Sequence, residues 1–309
     1  MTAIAWIGLG QMGRPMATHL VQAGHIVRGV ELQPAAAQAA REAGIDIVDS
    51  IAQAVADAEV VFTMLPSGHH VHDVLTGARG AFSAARPGTL LVDCSTIDVP
   101  TTRSLQVAAT DAGLRFIDAP VSGGISGAIA GTLTFMVGGS AADVTRVGPL
   151  LDVMAGYTVH VGDSGAGQAA KIVNNMILGI CLAATCEGVV LAQRLGVDPK
   201  VLYDITTRSS GDNWALRTWY PAPDVVPTAP SSRGFTPGFT THLMVKDLTL
   251  AVAAGDMTST PLKAAEAALK LFSDNAAAGA GSQDCSALVL AIAERAAAGD
   301  PSLAAAVAR

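Results

Sequence analysis

Gly8-Leu9-Gly10-Gln11-Met12-Gly13 follows directly on the apolar run Thr2–Ile7 and opens a segment of helical pattern, Met12–Ala23. In a strand-to-helix turn each glycine has a separate physical task. Gly8 permits the tight turn, Gly10 lets the backbone approach a pyrophosphate, and Gly13 allows close helix–strand packing. The helix N-terminus behind them offers N–H donors and the positive end of a dipole. Glu31 closes the second strand candidate, eighteen residues after Gly13. A carboxylate there can bind both hydroxyls of an adenosine ribose. Leu32 and Gln33 provide no cation for a 2′-phosphate, so NAD is expected as the cofactor rather than NADP. A merely glycine-rich turn is the competing reading, and the flanking strand, the helix and Glu31 weigh against it.

The rest of the first half repeats the same alternation. Thr2–Ile7, Ile26–Val30, Ile45–Val48, Val60–Met64 and Thr89–Val92 are short and rich in Val and Ile. Between them lie Met12–Ala23, Pro34–Ala43, Ile51–Ala56 and a His-containing segment, all of helical composition. Strand alternating with helix marks βαβ units and a parallel sheet buried on both faces. Arg115–Ile117, Leu133–Val137 and Thr158–Val161 carry the sheet to about Gly162. From Gly167 to Leu195 apolar residues run at helical spacing without proline, and Gly196 supplies a stop. After Ser209 a stretch rich in Pro and Gly must be irregular, and helical patterns return from Leu243 to the C-terminus. The expected fold is α/β. A Rossmann-type dinucleotide-binding domain with a mostly parallel sheet, residues 1–163, precedes an all-α domain for substrate and oligomerisation, residues 164–309. A long helix joins the two.

Composition narrows the function classes. Half of the 309 residues are apolar, which excludes intrinsic disorder. The net charge is −7 with no basic run, so nucleic acid and acidic membrane surfaces are not expected partners. Cys94, Cys181, Cys186 and Cys285 are scattered without a CxxC pair and read as reduced thiols of a cytoplasmic protein. The N-terminus lacks a basic region and a cleavage site, so no leader is expected. Ile172–Cys186 is fifteen residues without a charge. That is short of the ~20 needed to span a bilayer, and a buried helix is the expected form. His69, His70 and His72 have no acidic or Cys cluster beside them to complete a ligand set, so no metal is expected.

Two further constellations carry chemistry. Lys171 and Asn175 stand at i and i+4 and so share a helix face. A lysine in an apolar segment is costly unless it is paired, exposed or functional. Desolvation lowers a lysine's pKa, and a neutral amine accepts an alcohol's proton. A lysine snorkelling from a helix end is the alternative. In Ser122-Gly123-Gly124, two glycines let backbone N–H groups converge on an anion, although a loop with permissive glycines has the same spacing.

Asp118-Ala119-Pro120-Val121-Ser122-Gly123-Gly124 and Gly165-Ala166-Gly167-Gln168-Ala169-Ala170-Lys171-Ile172-Val173-Asn174-Asn175 resemble the β-hydroxyacid dehydrogenase family. So do Ser209-Ser210-Gly211-Asp212-Asn213-Trp214 and Gly238-Phe239-Thr240-Thr241-His242-Leu243-Met244-Val245-Lys246-Asp247-Leu248. The resemblance covers nearly the whole chain, with the motifs in the family's order. It implies that Lys171 is catalytic, that Asn175 binds substrate and that Ser122, Gly123 and Gly124 hold the substrate carboxylate. It implies that Leu65, Pro66 and Thr96 contact the nicotinamide half of NAD, with Lys246 near cofactor and substrate. His70 stands where relatives often have Asn on the cofactor. Trp214 and Phe239 are expected at an apolar substrate site. The implied reaction is NAD-dependent oxidation of 3-hydroxyisobutyrate to methylmalonate semialdehyde, a step of valine breakdown. Reduction of tartronate, succinic or glyoxylic semialdehyde is the alternative within the family, and a non-catalytic NAD-binding protein the alternative outside it. Imine reduction is disfavoured, because relatives with that activity typically replace the lysine. A helix as apolar as Gly167–Leu195 predicts a homodimer or homotetramer.

Overall fold

The computed structural model describes residues 1–298. The chain forms two compact units, Met1–Lys171 and a second beginning at Ile172.

The first unit is built on one sheet: β1 (Ala3–Ile7), β2 (Ile26–Val30), β3 (Asp46–Ile47), β4 (Val60–Thr63), β5 (Leu90–Asp93), β6 (Arg115–Asp118), β7 (Val121–Ser122), β8 (Leu133–Gly138) and β9 (Ala155–Gly162). The spatial order runs β3-β2-β1-β4-β5-β6-β8-β7, with β9 also paired to β8. From β3 to β6 all pairings are parallel, with Ile4 opposite both Val27 and Val60. The order reverses at β1, so β1 and β4 flank the crevice where open α/β sheets bind ligands.

Alternation of side chains explains why these short Val/Ile runs become central strands. Ile4 and Trp6 enter one core with Met16, Leu20 and Phe62, where Trp6 stacks on Phe62 at 4.9 Å between ring centroids. Ala5 and Ile7 face the other core with Val61, Val71, Leu91 and Leu105. Each large apolar side chain fully removed from water contributes about 1.5–3 kcal/mol.

One region departs from plain alternation. Between β6 and β8 the chain holds the two-residue β7 and the seven-residue helix Gly124–Ala130. Seven residues of helix span only ~10 Å, and β8 returns antiparallel to β6 and β7. The helices Val99–Asp111 and Ala141–Asp152 start on Asp98 and Ser140, whose side chains accept the N–H groups of Thr101 and Asp143. Such caps satisfy donors that a helix start leaves open.

The helix Ala166–Arg194 has 29 residues, nearly twice the charge-free stretch within it. By length and composition alone it could cross a membrane, yet half of its most apolar window is buried within the protein. In the second unit Leu182, Cys186, Val189 and Val190 of this helix pack with Met244, Leu248, Phe272 and Leu288. Further helices are Pro199–Thr206, Trp214–Thr218, Thr241–Met257, Lys263–Asn275 and Leu288–Ala298. Trp214–Thr218 lies in the stretch expected to be irregular after Ser209; Asn213 starts it by accepting the N–H of Leu216. The Pro-rich segment beyond is tied down by Ser231, whose hydroxyl donates to the carbonyls of Tyr220 and Ala222. The expected continuation of helix to the C-terminus past Ala298 lies outside the described residues.

Candidate active site

The ends of β1, β2 and β4 assemble a cradle. Gly8 has a φ of +92°, and a Cβ there would sit 2.4 Å from the Met64 carbonyl oxygen. A Cβ on Gly13 would sit 2.0 Å from the Gly8 carbonyl oxygen, so neither position accepts a side chain. Gly10 is exposed, with nothing within 4 Å of an added Cβ; backbone faces open space where a diphosphate would approach. The Glu31 carboxylate accepts the N–H of Leu9 at 2.8 Å and the N–H of Gln33 at 2.8 Å. An acidic group is thus held against the glycine turn, with Gln11 and Met12 completing it before the helix. These residues fit an adenine dinucleotide, with Glu31 as the group that would accept from its ribose hydroxyls.

The neighbouring strand ends add a hydrogen-bonded layer. Leu65 donates its N–H to the Ser95 hydroxyl at 2.9 Å, and Pro66 is exposed beside it. Thr63 donates its hydroxyl to the Asp93 carboxylate at 2.8 Å, and the Ser95 N–H reaches the same oxygen. Burial pushes the Asp93 carboxyl up to about 6 despite those bonds. Thr96 is half-buried and lies between Ser95 and Ile97, both held by the Gln168 side chain. His70 is exposed on the helix Gly68–Thr76, within hydrogen-bonding distance of the Ser67 hydroxyl, while His69 pairs with Asp73. Among the described residues no group of three or more His, Cys, Asp or Glu could hold a metal ion.

Ser122 ends β7, and Gly123 and Gly124 follow at φ +135° and +63°, both exposed. These are backbone conformations that L side chains rarely adopt. They turn the chain into the helix Gly124–Ala130 and leave its first N–H groups open.

Lys171, the last residue of the first unit, is 7% exposed, and Asn175 one helical turn on is 3% exposed. Asn175 donates its amide to Asp247 and accepts from Asn174 at 2.9 Å. Its orientation is therefore set by Asp247. Lys246 places its ammonium 3.2 Å from the other Asp247 oxygen; it is a paired, largely covered lysine and not a freely solvated one. Trp214 is half-exposed and meets Trp219 edge-on at 5.3 Å, and Trp219 stacks on Phe239 at 6.3 Å. Asp284 accepts the N–H groups of Gly238 and Phe239 and so fixes that loop.

Asp93, Gln168, Trp219 and Asp247, together with Asp118, which accepts the N–H groups of Gly165 and Gln168, have places here that no motif assigned to them. Asp118, Gln168 and Asp247 stood inside the motifs already singled out. Nothing in the pattern around Asp93 or Trp219 marked them.

Known proteins resemble both halves of the chain. Residues 3–162 match the model of the NAD binding domain of 6-phosphogluconate dehydrogenase. Residues 165–292 match the model described as NAD-binding of NADP-dependent 3-hydroxyisobutyrate dehydrogenase. A 3-hydroxyisobutyrate dehydrogenase of Pseudomonas aeruginosa is 48% identical over 91% of this chain and 94% of its own. The chain belongs to the 3-hydroxyisobutyrate dehydrogenase family. The solved structure of the Mycobacterium tuberculosis 3-hydroxyisobutyrate dehydrogenase with L-serine matches with a TM-score of 0.89 at 44% identity, covering 94% of this chain and 99% of that one. An NAD-dependent L-serine dehydrogenase of Pseudomonas aeruginosa is 42% identical over 88% of this chain and 91% of its own. This member of the 3-hydroxyisobutyrate dehydrogenase family is an NAD-dependent oxidoreductase.

Proposed function

We propose that the chain oxidises 3-hydroxyisobutyrate to methylmalonate semialdehyde, with Lys171 moving the hydroxyl proton. The observation that carries the reading is a buried lysine one helical turn before a buried asparagine, within a family shown at 48% identity. Gly8, Leu9, Gly10, Gln11, Met12 and Gly13 hold the pyrophosphate and Glu31 the adenosine ribose. Leu65, Pro66, Thr96, His70 and Lys246 bound the rest of the cofactor. NAD, when bound, supplies the hydride acceptor. Ser122 and the backbone of Gly123 and Gly124 hold the substrate carboxylate. Asn175, oriented by Asp247, aligns the substrate. Lys171 takes the hydroxyl proton as the alcohol carbon becomes a carbonyl, and returns it in the reverse direction. Trp214 and Phe239, linked through Trp219, give the methyl branch an apolar neighbour.

L-Serine is the second reading, favoured by the name of one relative and by the L-serine in the solved structure of another. It carries an ammonium where hydroxyisobutyrate carries a methyl, and an aromatic trio suits the methyl better. Tartronate, succinic and glyoxylic semialdehydes are the remaining candidates. A panel of these acids and semialdehydes assayed with NAD tests the assignment. The highest kcat/KM is expected for 3-hydroxyisobutyrate, and a higher value for L-serine would overturn the choice. We also place the enzyme in the cytoplasm and in valine breakdown. Support comes from the substrate and from four cysteines that form no disulfide. Residues 164–309 are assigned to substrate binding and oligomerisation, and residues 1–163 to NAD.

A further inference from the structure

We propose that Gln168 is a positioning residue that sets the Thr96 loop in register with the helical turn carrying Lys171. The inference rests on the reading of Lys171 as the proton-transfer group. Gln168 is fully buried and is held at both ends. Its backbone N–H donates to Asp118 at 2.8 Å, and Asp118 also accepts the Gly165 N–H at 2.7 Å. That carboxylate sits where a Cβ on Gly138 or Gly167 would come within 3 Å of it, so it cannot shift without moving β8 or the helix start.

The Gln168 side chain then spans the loop after β5. Its amide nitrogen donates to the Ser95 carbonyl at 2.7 Å, and its amide oxygen accepts the Ile97 N–H at 3.1 Å. Those two backbone groups bracket Thr96. Ser95 in turn receives the Leu65 N–H on its hydroxyl, which ties the Leu65–Pro66 segment to the same loop. Lys171 is three residues beyond Gln168 in one helix, on the neighbouring side-chain row. One rigid amide therefore sets the distance between the loop assigned to the nicotinamide half and the turn assigned to proton transfer. Oxidation of an alcohol removes a hydride and a proton from adjacent atoms, so both groups must be aligned on the same substrate pose. A misplacement of about 1 Å by a residue outside the chemistry can cost ~10²-fold in rate.

Gln168→Glu keeps volume and the acceptor for Ile97 but sets an oxygen against the Ser95 carbonyl. Gln168→Met keeps length and loses both bonds. If Gln168→Met does not fold, Gln168→Glu, which retains the Ile97 bond, carries the test alone. Each folded variant is assayed for kcat with 3-hydroxyisobutyrate and with the substrate deuterated at its alcohol carbon. NAD affinity is measured separately by calorimetry. The expected result is a kcat lowered about 10–100-fold with an isotope effect at or above that of the parent and an NAD Kd within about twofold of it. Unchanged kcat, a reduced isotope effect, or NAD binding weakened by the same factor as kcat would each overturn the proposal. Lys171→Ala is run beside them. If it retains turnover, the proton-transfer reading fails first. If it is inactive while both Gln168 variants turn over normally, only the positioning role falls.

Discussion

Lys171 is the residue on which the proposed chemistry turns. General acid–base assistance contributes ~10²–10⁴-fold, so Lys171→Ala should lower kcat by about that factor. NAD binding should persist, because the glycine turn and Glu31 are untouched. Lys171→Arg should rescue little, since a guanidinium stays protonated. Near-normal turnover in the alanine variant would mean that another group moves the proton. Glu31 predicts a higher kcat/KM with NAD than with NADP, because its carboxylate repels a 2′-phosphate. Glu31→Gln should narrow that ratio, and equal use of both cofactors by the parent would refute the role. Asp93 predicts a pH dependence of stability. Its carboxyl moves from 3.8 to about 6 on folding, so the folded chain holds that proton more tightly than the unfolded chain. The stabilisation is complete below pH 3.8 and is lost as pH rises through about 6, amounting to about 3 kcal/mol. Urea unfolding of the parent and Asp93→Asn should show the variant gaining on the parent across that window. Parallel curves would contradict the burial argument.

At the scale of elements, helix starts and strand ends do most of the positioning. The long helix Ala166–Arg194 begins with N–H groups that no intrahelical carbonyl can meet, and Asp118 takes two N–H groups of this start, those of Gly165 and Gln168. Asp118→Ala strands two buried amides at a cost of about 1–3 kcal/mol each. Relief of a buried carboxylate offsets part of this, and a net loss of about 2–4 kcal/mol is expected in urea unfolding. A loss below 0.5 kcal/mol would mean that water replaces the cap. The Lys171–Asn175 spacing was readable as one helical face. Its partner Asp247 lies on another helix, and only packing within the second unit brings the two together.

For the whole molecule, the exposed face of the long helix makes the clearest demand. Val173, Ile177, Leu191 and Leu195 are all exposed, at spacings that keep them on one side. Exposed apolar residues in such a row favour cover by another surface, and a second copy of this chain is the expected one. We expect a homodimer or homotetramer by light scattering at micromolar concentration. Leu191→Lys should shift that equilibrium toward the monomer without loss of helix content. A parent protein that stays at 31 kDa would refute the assembly.

The βαβ alternation, the glycine turn and the long apolar helix could be read from residue order, because period-2 and period-3.6 patterns and turn residues act over a few neighbours. Glu31 could be placed because a fixed count separates it from Gly13. The antiparallel entry of β8, the aromatic link through Trp219 and the Asn175–Asp247 pair could not. Each depends on which distant segments meet, and no local pattern encodes that. The same holds for Asp93: its side chain is an ordinary carboxylate in sequence, and only complete burial between β4 and β6 raises its pKa to about 6. Sequence chose the elements and the types of chemistry available to them. Tertiary packing chose their partners, because desolvation and hydrogen-bond geometry exist only once remote strands and helices have closed on one another.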